Sequence, residues 1–500
     1  MHISPHDSQF PLGATVTPDG VHFGIWAPAA ERLDVVVETG GEVSSVPMDR
    51  DDRGIHTALV GNAAAGSLYR FSVDGAPGTP DPRSHYQPFG VHGPSEVIDL
   101  ERFAWTATDW PGLTNQNLSF YELHVGTYTP DGSFDALAGQ LEEIARIGVR
   151  VIELMPVADF PGRWNWGYDG VALFAPSRAY GRPEDLQRLV DTAHQHGLGV
   201  LLDVVYNHLG PDGNYLSQYS ADYVTDRHQT PWGDGVNFDG QNARFVRDFV
   251  IDNAIQWVRD YRFDGLRVDA ADKIQDDSDL HIIAELQARV RASVDREIVL
   301  VAEDARNEVR TITPNARGGD GFDAFWADDF HHEVRVLLSN AWENYYVDYT
   351  GSVADLARAL NDGVIFQGEE SSFLGRPRGT KFTDAPANAF VFELQNHDQV
   401  GNRPFGERLH HEIDRERFHV ASTVLLLAPE TPLIFMGQEF AASTPFLFFT
   451  DHHEELGPLV TEGRQNEFSG FRAFSQEGAK RSIPDPQDEA TFHASKLRLA

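Results

Sequence analysis

The sequence predicts an α/β fold, a TIM (β/α)8 barrel preceded by an N-terminal β-sandwich domain. Two patterns and one length carry that prediction. The first roughly 100 residues alternate apolar and polar positions with period two between Gly, Pro and Asp turns, without a helical pattern of useful length. Beyond about residue 110, about eight short apolar runs alternate with amphipathic stretches, as parallel strands joined by crossover helices do. A chain of 500 residues exceeds one ordinary hydrophobic core and suits a large barrel with an appendage.

In the sandwich, strands are expected at Val21–Trp26, Leu33–Glu38 and Leu68–Val73. A Pro/Gly-rich stretch from Gly75 to Gly93 leads to Trp110-Pro111-Gly112, so the domains are expected at 1–110 and 111–500. Leu118–Val125 is the first expected barrel strand. Phe134, Leu137, Leu141, Ile144 and Ile147 then recur at helical spacing after Ser133, a possible N-cap, with Gly148 as the stop. Further apolar strands are expected at Val149–Met155, Val200–Val205, Gly265–Asp269, Ile298–Val301, Ala324–Trp326, Phe390–Leu394 and Pro432–Phe435. Helical patterns at 184–196, 244–260, 279–294 and 415–427 lie between them. Residues 209–241, polar and Gly-rich, form a long insertion after the third strand, and such loops are usually functional.

Composition narrows the function. Forty Lys+Arg against 76 Asp+Glu give a formal charge of -36, which repels phosphate backbones and anionic lipid, so neither nucleic acid nor membrane is an expected partner. The sequence has no cysteine, which excludes disulfides, thiolate metal sites and Cys nucleophiles and fits a cytoplasmic setting. The opening Met1–Gln9 lacks the basic head and apolar stretch of a signal peptide, and the longest aliphatic run is broken by Pro429, Glu430 and Pro432.

In a TIM barrel, reactive groups gather where strands end and βα loops begin. Polar residues there include Asp203, Asn207-His208, Arg267, Asp269, Glu303-Asp304, Asp328-Asp329-Phe330-His331-His332, Asn396-His397-Asp398 and Gln438-Glu439. Glycosyl transfer to water needs one carboxylic acid to protonate the leaving oxygen and one carboxylate to attack or shield an oxocarbenium-like centre. Asp269, Glu303 and Asp398, on three different strands, supply both and leave a third to stabilise charge. Arg267 points to the same side of its strand as Asp269. Clustered like charges raise an acid's pKa, which suits Glu303 as the proton donor. Read as neighbours in a strand, His331 and His332 face opposite ways and make poor metal co-ligands. Trp164 and Trp166 lie in a Gly-rich loop, where exposed rings stack on sugars.

The stretches Asp203-Val204-Val205-Tyr206-Asn207-His208, Phe263–Ala270, Val301-Ala302-Glu303-Asp304 and Asn396-His397-Asp398-Gln399 resemble, in order, the four sequence regions of the α-amylase superfamily, glycoside hydrolase family 13. The resemblance implies Asp269 as nucleophile, Glu303 as general acid/base and Asp398 as transition-state stabiliser. It implies Arg267, His208 and His397 as contacts in subsite −1, Tyr168 as its stacking platform and Asp203 as a buried structural aspartate. Asn207 stands where many amylases bind calcium, but no accompanying ligand set is evident, so neither metal nor cofactor is expected. Tyr121–Thr129, Asp329–Glu333 and Gly437–Phe446 narrow the resemblance to the trehalohydrolase family, whose members release trehalose from maltooligosyltrehalose at the α-1,4 bond beside the terminal trehalose. That implies maltooligosyltrehalose or a related α-glucan as substrate, with no partner protein indicated. The leading sandwich is similar to the carbohydrate-binding-module type of branching and debranching enzymes. Asp329, Phe330 and His332 are the expected wall of subsites +1 and +2, and Trp166 a further sugar contact. Two departures stand out: members often carry Trp where Phe440 stands, and they usually continue into a C-terminal β-domain, which this chain is expected to lack. The competing readings are a glucan branching or debranching enzyme and a non-catalytic binding protein; the intact Asp269, Glu303, Asp398 and Arg267 set argues against the latter.

Overall fold

A computed structural model describes residues 12–339, 341–342, 344–468 and 483–499; Met1–Gln9, read above as lacking a leader, and Ala500 lie outside the described residues. The N-terminal part contains β1 (Gly13–Thr17), β2 (Gly20–Trp26), β3 (Leu33–Thr39), β4 (Glu42–Pro47), β5 (Asp49–Arg50), β6 (Ile55–Val60), β7 (Leu68–Val73) and β8 (Ser95–Glu96). These form two four-stranded sheets, β1-β2-β6-β5 and β4-β3-β7-β8. Their alternate residues, Val21, Phe23 and Ile25 from one sheet and Val35, Val37, Tyr69 and Phe71 from the other, meet in one core as period-two alternation requires. The sandwich leans on the barrel through aromatic contacts: Trp26 stacks on Phe245 with ring centroids 4.6 Å apart, and the Tyr219 hydroxyl donates to the Pro80 carbonyl at 2.8 Å.

The remaining strands in chain order are β9 (Phe120–Leu123), β10 (Val151–Leu154), β11 (Ala158–Asp159), β12 (Ala172–Pro176), β13 (Gly199–Val204), β14 (Val224–Thr230), β15 (Gly233–Val236), β16 (Gly265–Val268), β17 (Val299–Glu303), β18 (Ala324–Trp326), β19 (Glu369–Ser371), β20 (Arg376–Arg378), β21 (Phe390–Glu393) and β22 (Thr431–Phe435). Eight close into a barrel, β9-β10-β13-β16-β17-β18-β21-β22 and back to β9, and every pairing is parallel. The helices expected from periodicity appear at Pro183–Gln195, Ala243–Arg259, Ile282–Ala292 and Arg415–Leu427. The helix expected over 134–147 is instead two, Phe134–Ala138 and Leu141–Ile147, because Gly139 ends the first. Ser133 caps the first by accepting from the Ala136 N–H, and Gly148, at φ +97°, ends the second in a left-handed conformation that glycine adopts without a Cβ clash.

The barrel interior is layered. Phe120, Val151, Leu201 and Val391 lie in a buried apolar cluster, and two residues further along the same strands stand Glu122, Glu153, Asp203 and Glu393. Side chains two apart in a strand share a face, so the apolar floor of the barrel is followed by a belt of carboxylates with Arg267 among them. The belt leads into the mouth.

Candidate active site

Arg267 organises the mouth. Its guanidinium is wholly buried, lies 4.1 Å over the Trp326 ring and splits between three carboxylates. Nη1 donates to Asp203 Oδ2 at 2.7 Å and Asp269 Oδ1 at 2.8 Å, while Nη2 donates to Glu303 Oε2 at 2.7 Å. Arg267 therefore holds Asp269 and Glu303 on adjacent prongs of one rigid fork. Three carboxylates face one cation, so the arrangement favours one added proton. Burial pushes Glu303 well above the ordinary carboxylate range, opposed by Arg267 and reinforced by Asp269 and Asp398. Burial also raises Asp203, to about 6.

Local backbone turns aim these groups. Ala270 follows Asp269 at φ +40°, an unfavourable left-handed conformation for a residue with a Cβ, and its N–H donates to Glu303 Oε2 at 2.9 Å. Asn207, named above among the strand-end polar residues and given no calcium role, turns its amide to Asp269: Nδ2 donates to Oδ2 at 2.8 Å and to the Asp269 carbonyl at 3.2 Å. Asp398 rides on the first turn of the short helix His397–Gly401, capped by Asn396, whose Oδ1 accepts from the Gln399 N–H at 2.8 Å. The Asp398 carboxylate is partly open and accepts from Asn402 Nδ2 at 2.9 Å.

The other expected subsite −1 residues join this cluster. The Tyr168 hydroxyl lies 2.7 Å from both Asp203 Oδ2 and His397 Nε2, and its ring stacks on His397 with an interplanar angle of 22°. His208 Nε2 meets the Tyr168 carbonyl at 3.0 Å, and its ring stacks on Trp232, half exposed at the β14–β15 turn. Thus part of the 209–241 insertion reaches the mouth. Among the described residues, the group with metal-like spacing is His228, Asp239 and Asp277 in and beyond that insertion. Arg227 and the Asp277 N–H already donate to Asp239, so it carries no cation assignment.

The +1/+2 wall differs from expectation. Residues 328–332 are not the end of a strand but open the helix Asp328–Ser339. Helical spacing puts Asp328 and His332, four apart, on the face lining a cavity of about 420 Å³ beside Asp398, while turning their neighbours away. Phe330 is fully buried and stacks on Phe392, 4.4 Å between centroids, so it packs the barrel. Asp329 is fully buried too; it accepts from Asn307 Nδ2 at 2.7 Å, Tyr349 Oη at 2.6 Å and the N–H groups of Ile365 and Phe366, and pairs with Arg378 at 3.1 Å. It is the knot of the wall rather than its surface. His331 and His332 sit on this helix: His331 Nδ1 meets the Leu394 carbonyl, whereas His332 Nδ1 meets Tyr349 Oη at 3.1 Å.

Another side of the cavity comes from the segment between β18 and β21, where Tyr345, Phe373, Leu374 and Arg376 line it. Phe373 and Leu374, at the turn of β19–β20, remain about half exposed. Only their aromatic or apolar character in a polar stretch hinted at this. Nor are Trp164 and Trp166 open platforms. Trp166 Nε1 donates to the Leu447 carbonyl with its ring stacked on Phe446, and Trp164 Nε1 donates to the Thr450 carbonyl with its ring stacked on Phe492. Trp166 lies edge-on to His397 and so supports the site from behind.

Two family descriptions match the chain: carbohydrate-binding module 48 (isoamylase N-terminal domain) at residues 11–90, and alpha amylase, catalytic domain, at residues 101–234. A malto-oligosyltrehalose trehalohydrolase of Deinococcus radiodurans is 45% identical, the match covering 99% of this chain and 80% of that protein. One of Saccharolobus solfataricus is 38% identical, covering 97% and 83%. The crystal structure of a candidate α-amylase from Salmonella typhimurium superposes with TM-score 0.90 at 41% identity, covering 97% of this chain and 82% of that one. With the barrel, the module and these relatives together, the chain belongs to the malto-oligosyltrehalose trehalohydrolase family of α-amylase-type glycosidases.

Proposed function

We propose that this protein is a retaining glycoside hydrolase that releases trehalose by cutting the α-1,4 bond beside the terminal trehalose of maltooligosyltrehalose, in the cytoplasm. The observation that carries the chemistry is the Arg267 fork: one buried guanidinium holds Asp269 and Glu303 side by side, with Asp398 near enough to disfavour the Glu303 charge and lining the adjoining cavity. A retaining mechanism needs two carboxyl groups about 5–5.5 Å apart, and a shared guanidinium suits that spacing. Asp269 attacks the anomeric carbon of the glucosyl unit in subsite −1. Glu303, protonated because burial and neighbouring acids disfavour its charge, gives its proton to the oxygen leaving with trehalose. Glu303 then takes a proton from water, which attacks the same carbon and frees Asp269, so the α configuration is restored. Asp398 shields the developing positive charge, and His208, His397, Tyr168 and Arg267 surround the sugar.

The trehalose unit would lie along the wall formed by Asp328, His332, Tyr345 and Phe373. Trehalose is bent by its α,α-1,1 link, and a wall shaped to its hydroxyls leaves polar groups unpaired when maltose enters instead. Asp328 can donate a hydrogen bond there near neutrality, because burial, reinforced by Asp329 and Asp398 and opposed by Arg378, raises its pKa to about 7. Product analysis with maltotriosyltrehalose, maltotetraose and branched glucan offered separately tests this reading. Fast release of trehalose from the first alone supports it; preference for maltotetraose, or formation of branches, overturns it.

A further inference from the structure

We propose that Glu122, on the first barrel strand and outside the expected site, is a positioning residue that keeps the His397 ring protonated on both nitrogens. This inference rests on the hydrolase reading only for its kinetic consequence. Glu122 grips His397 twice: Oε2 accepts the His397 backbone N–H at 2.9 Å, and Oε1 lies 2.5 Å from Nδ1. Both side chains are almost wholly buried.

The other ring nitrogen decides the protonation state. His397 Nε2 is 2.7 Å from the Tyr168 hydroxyl, which is also 2.7 Å from Asp203 Oδ2. A hydroxyl has one proton. At pH 8, well above the value of about 6 to which burial raises it, Asp203 beside Arg267 is a carboxylate that only accepts, so Tyr168 donates there and presents a lone pair to Nε2. Nε2 must then carry a hydrogen, while Nδ1 carries one toward Glu122. A ring that donates from both nitrogens is an imidazolium, and Nε2 also stands 3.5 Å from Asp398 Oδ1.

The neighbouring charges agree. His397 is faced by Glu122 from β9, Glu153 from β10, Asp203 from β13, Arg267 from β16, His124 and Tyr168 from loops, and Asp398 on its own helix. Burial alone would lower the ring's pKa, but Asp398 and Glu122 outweigh it and bring it to about 9. Glu153 and Glu393 share the carboxylate belt, yet their oxygens have no hydrogen-bond partner among the described residues, and burial pushes both well up toward the neutral acid. Glu122 is thus the belt glutamate whose geometry ties it to the mouth. It acts through His397, whose cation orients the Asp398 carboxylate toward the sugar.

The test begins with wild-type protein labelled with ¹⁵N, observed by two-bond ¹H–¹⁵N correlation at pH 8. One histidine ring should retain protons on both nitrogens, and the signal should vanish in Glu122→Gln. A wild-type spectrum with every ring neutral at pH 8 overturns the proposal even if the variant fails to fold. On maltotriosyltrehalose, Glu122→Gln should lower kcat/KM at pH 7 about tenfold or more, whereas Glu122→Asp, which keeps a carboxylate at this position, should restore most of the rate together with the imidazolium signal. A rate lost equally in Glu122→Gln and Glu122→Asp while the imidazolium signal persists in both marks a purely structural role and contradicts the inference. The spectrum requires no turnover, so a wrong substrate assignment would leave the imidazolium signal in place.

Discussion

The floor and the wall of the mouth are each built around a buried arginine, and the two arginines are used differently. Arg267 projects from a barrel strand and binds three carboxylates, two of which are proposed to react. Arg378 projects from the last residue of β20 and binds no proposed reacting group: it meets Asp329, the Tyr349 hydroxyl at 2.8 Å and the Ala305 carbonyl at 2.8 Å, fastening an excursion to the barrel. On the proposed function, chemistry falls on rigid strand ends and selectivity on a segment hung from one knot. The two are separable in principle, and substitutions should separate them.

The largest effect is expected on the floor. Asp269→Asn should lower kcat on every substrate by about 10³-fold or more, because the proposed covalent step runs through its carboxylate. Glu303→Gln should cost about 10²- to 10⁴-fold with natural leaving groups but far less in the first step with an activated leaving group that needs no proton. Equal losses on both substrates would remove Glu303 from the acid role.

On the wall, Asp329→Ala should act first on stability. It strands the buried Arg378 and frees the Ile365 and Phe366 N–H groups, a loss of about 3–5 kcal/mol in denaturant unfolding. A change under about 1 kcal/mol would show that the knot is not structural. Phe373→Ala, on an exposed turn, should leave stability nearly unchanged and reduce kcat/KM on maltotriosyltrehalose by about 10- to 100-fold, with a smaller loss on maltotetraose. Parallel losses on both would remove the turn from trehalose recognition.

The smallest expected effect is a slope of stability with pH. His397 titrates near 9 when folded and near 6.5 in an unperturbed chain, so the folded state binds the extra proton between those values. Its contribution is complete below about pH 6.5 and is lost as the pH rises toward 9. Melting temperature should decline across that window, and less steeply in Glu122→Gln.

The floor was legible in the sequence because its groups sit in short contiguous runs at strand ends. Arg267 and Asp269, two apart in a strand, had to share a face, and they share a hydrogen bond at 2.8 Å. The wall was not legible, because 328–332 is polar and short enough to pass for strand or loop. Period two selects different neighbours from period 3.6, and the helix turns Asp328 and His332 toward the cavity, His332 itself buried, while packing Asp329 and Phe330 away from it. Trp164 and Trp166 failed for another reason: their partners at Thr450 and Leu447 lie more than 280 residues away, beyond any local pattern. The closed eight-strand barrel and the sandwich were legible from alternation alone, whereas the β19–β20 hairpin, three residues per strand, left no periodic trace.

The most direct test of the shared guanidinium and the two proposed reacting carboxyls among the three it holds is proton NMR of the first products from maltotriosyltrehalose, recorded before mutarotation. Retention with cleavage beside trehalose gives free trehalose and the α anomer of maltotriose in equal amounts from the earliest time point. Maltotriose appearing first as the β anomer, or a saccharide other than trehalose leaving first, would contradict it.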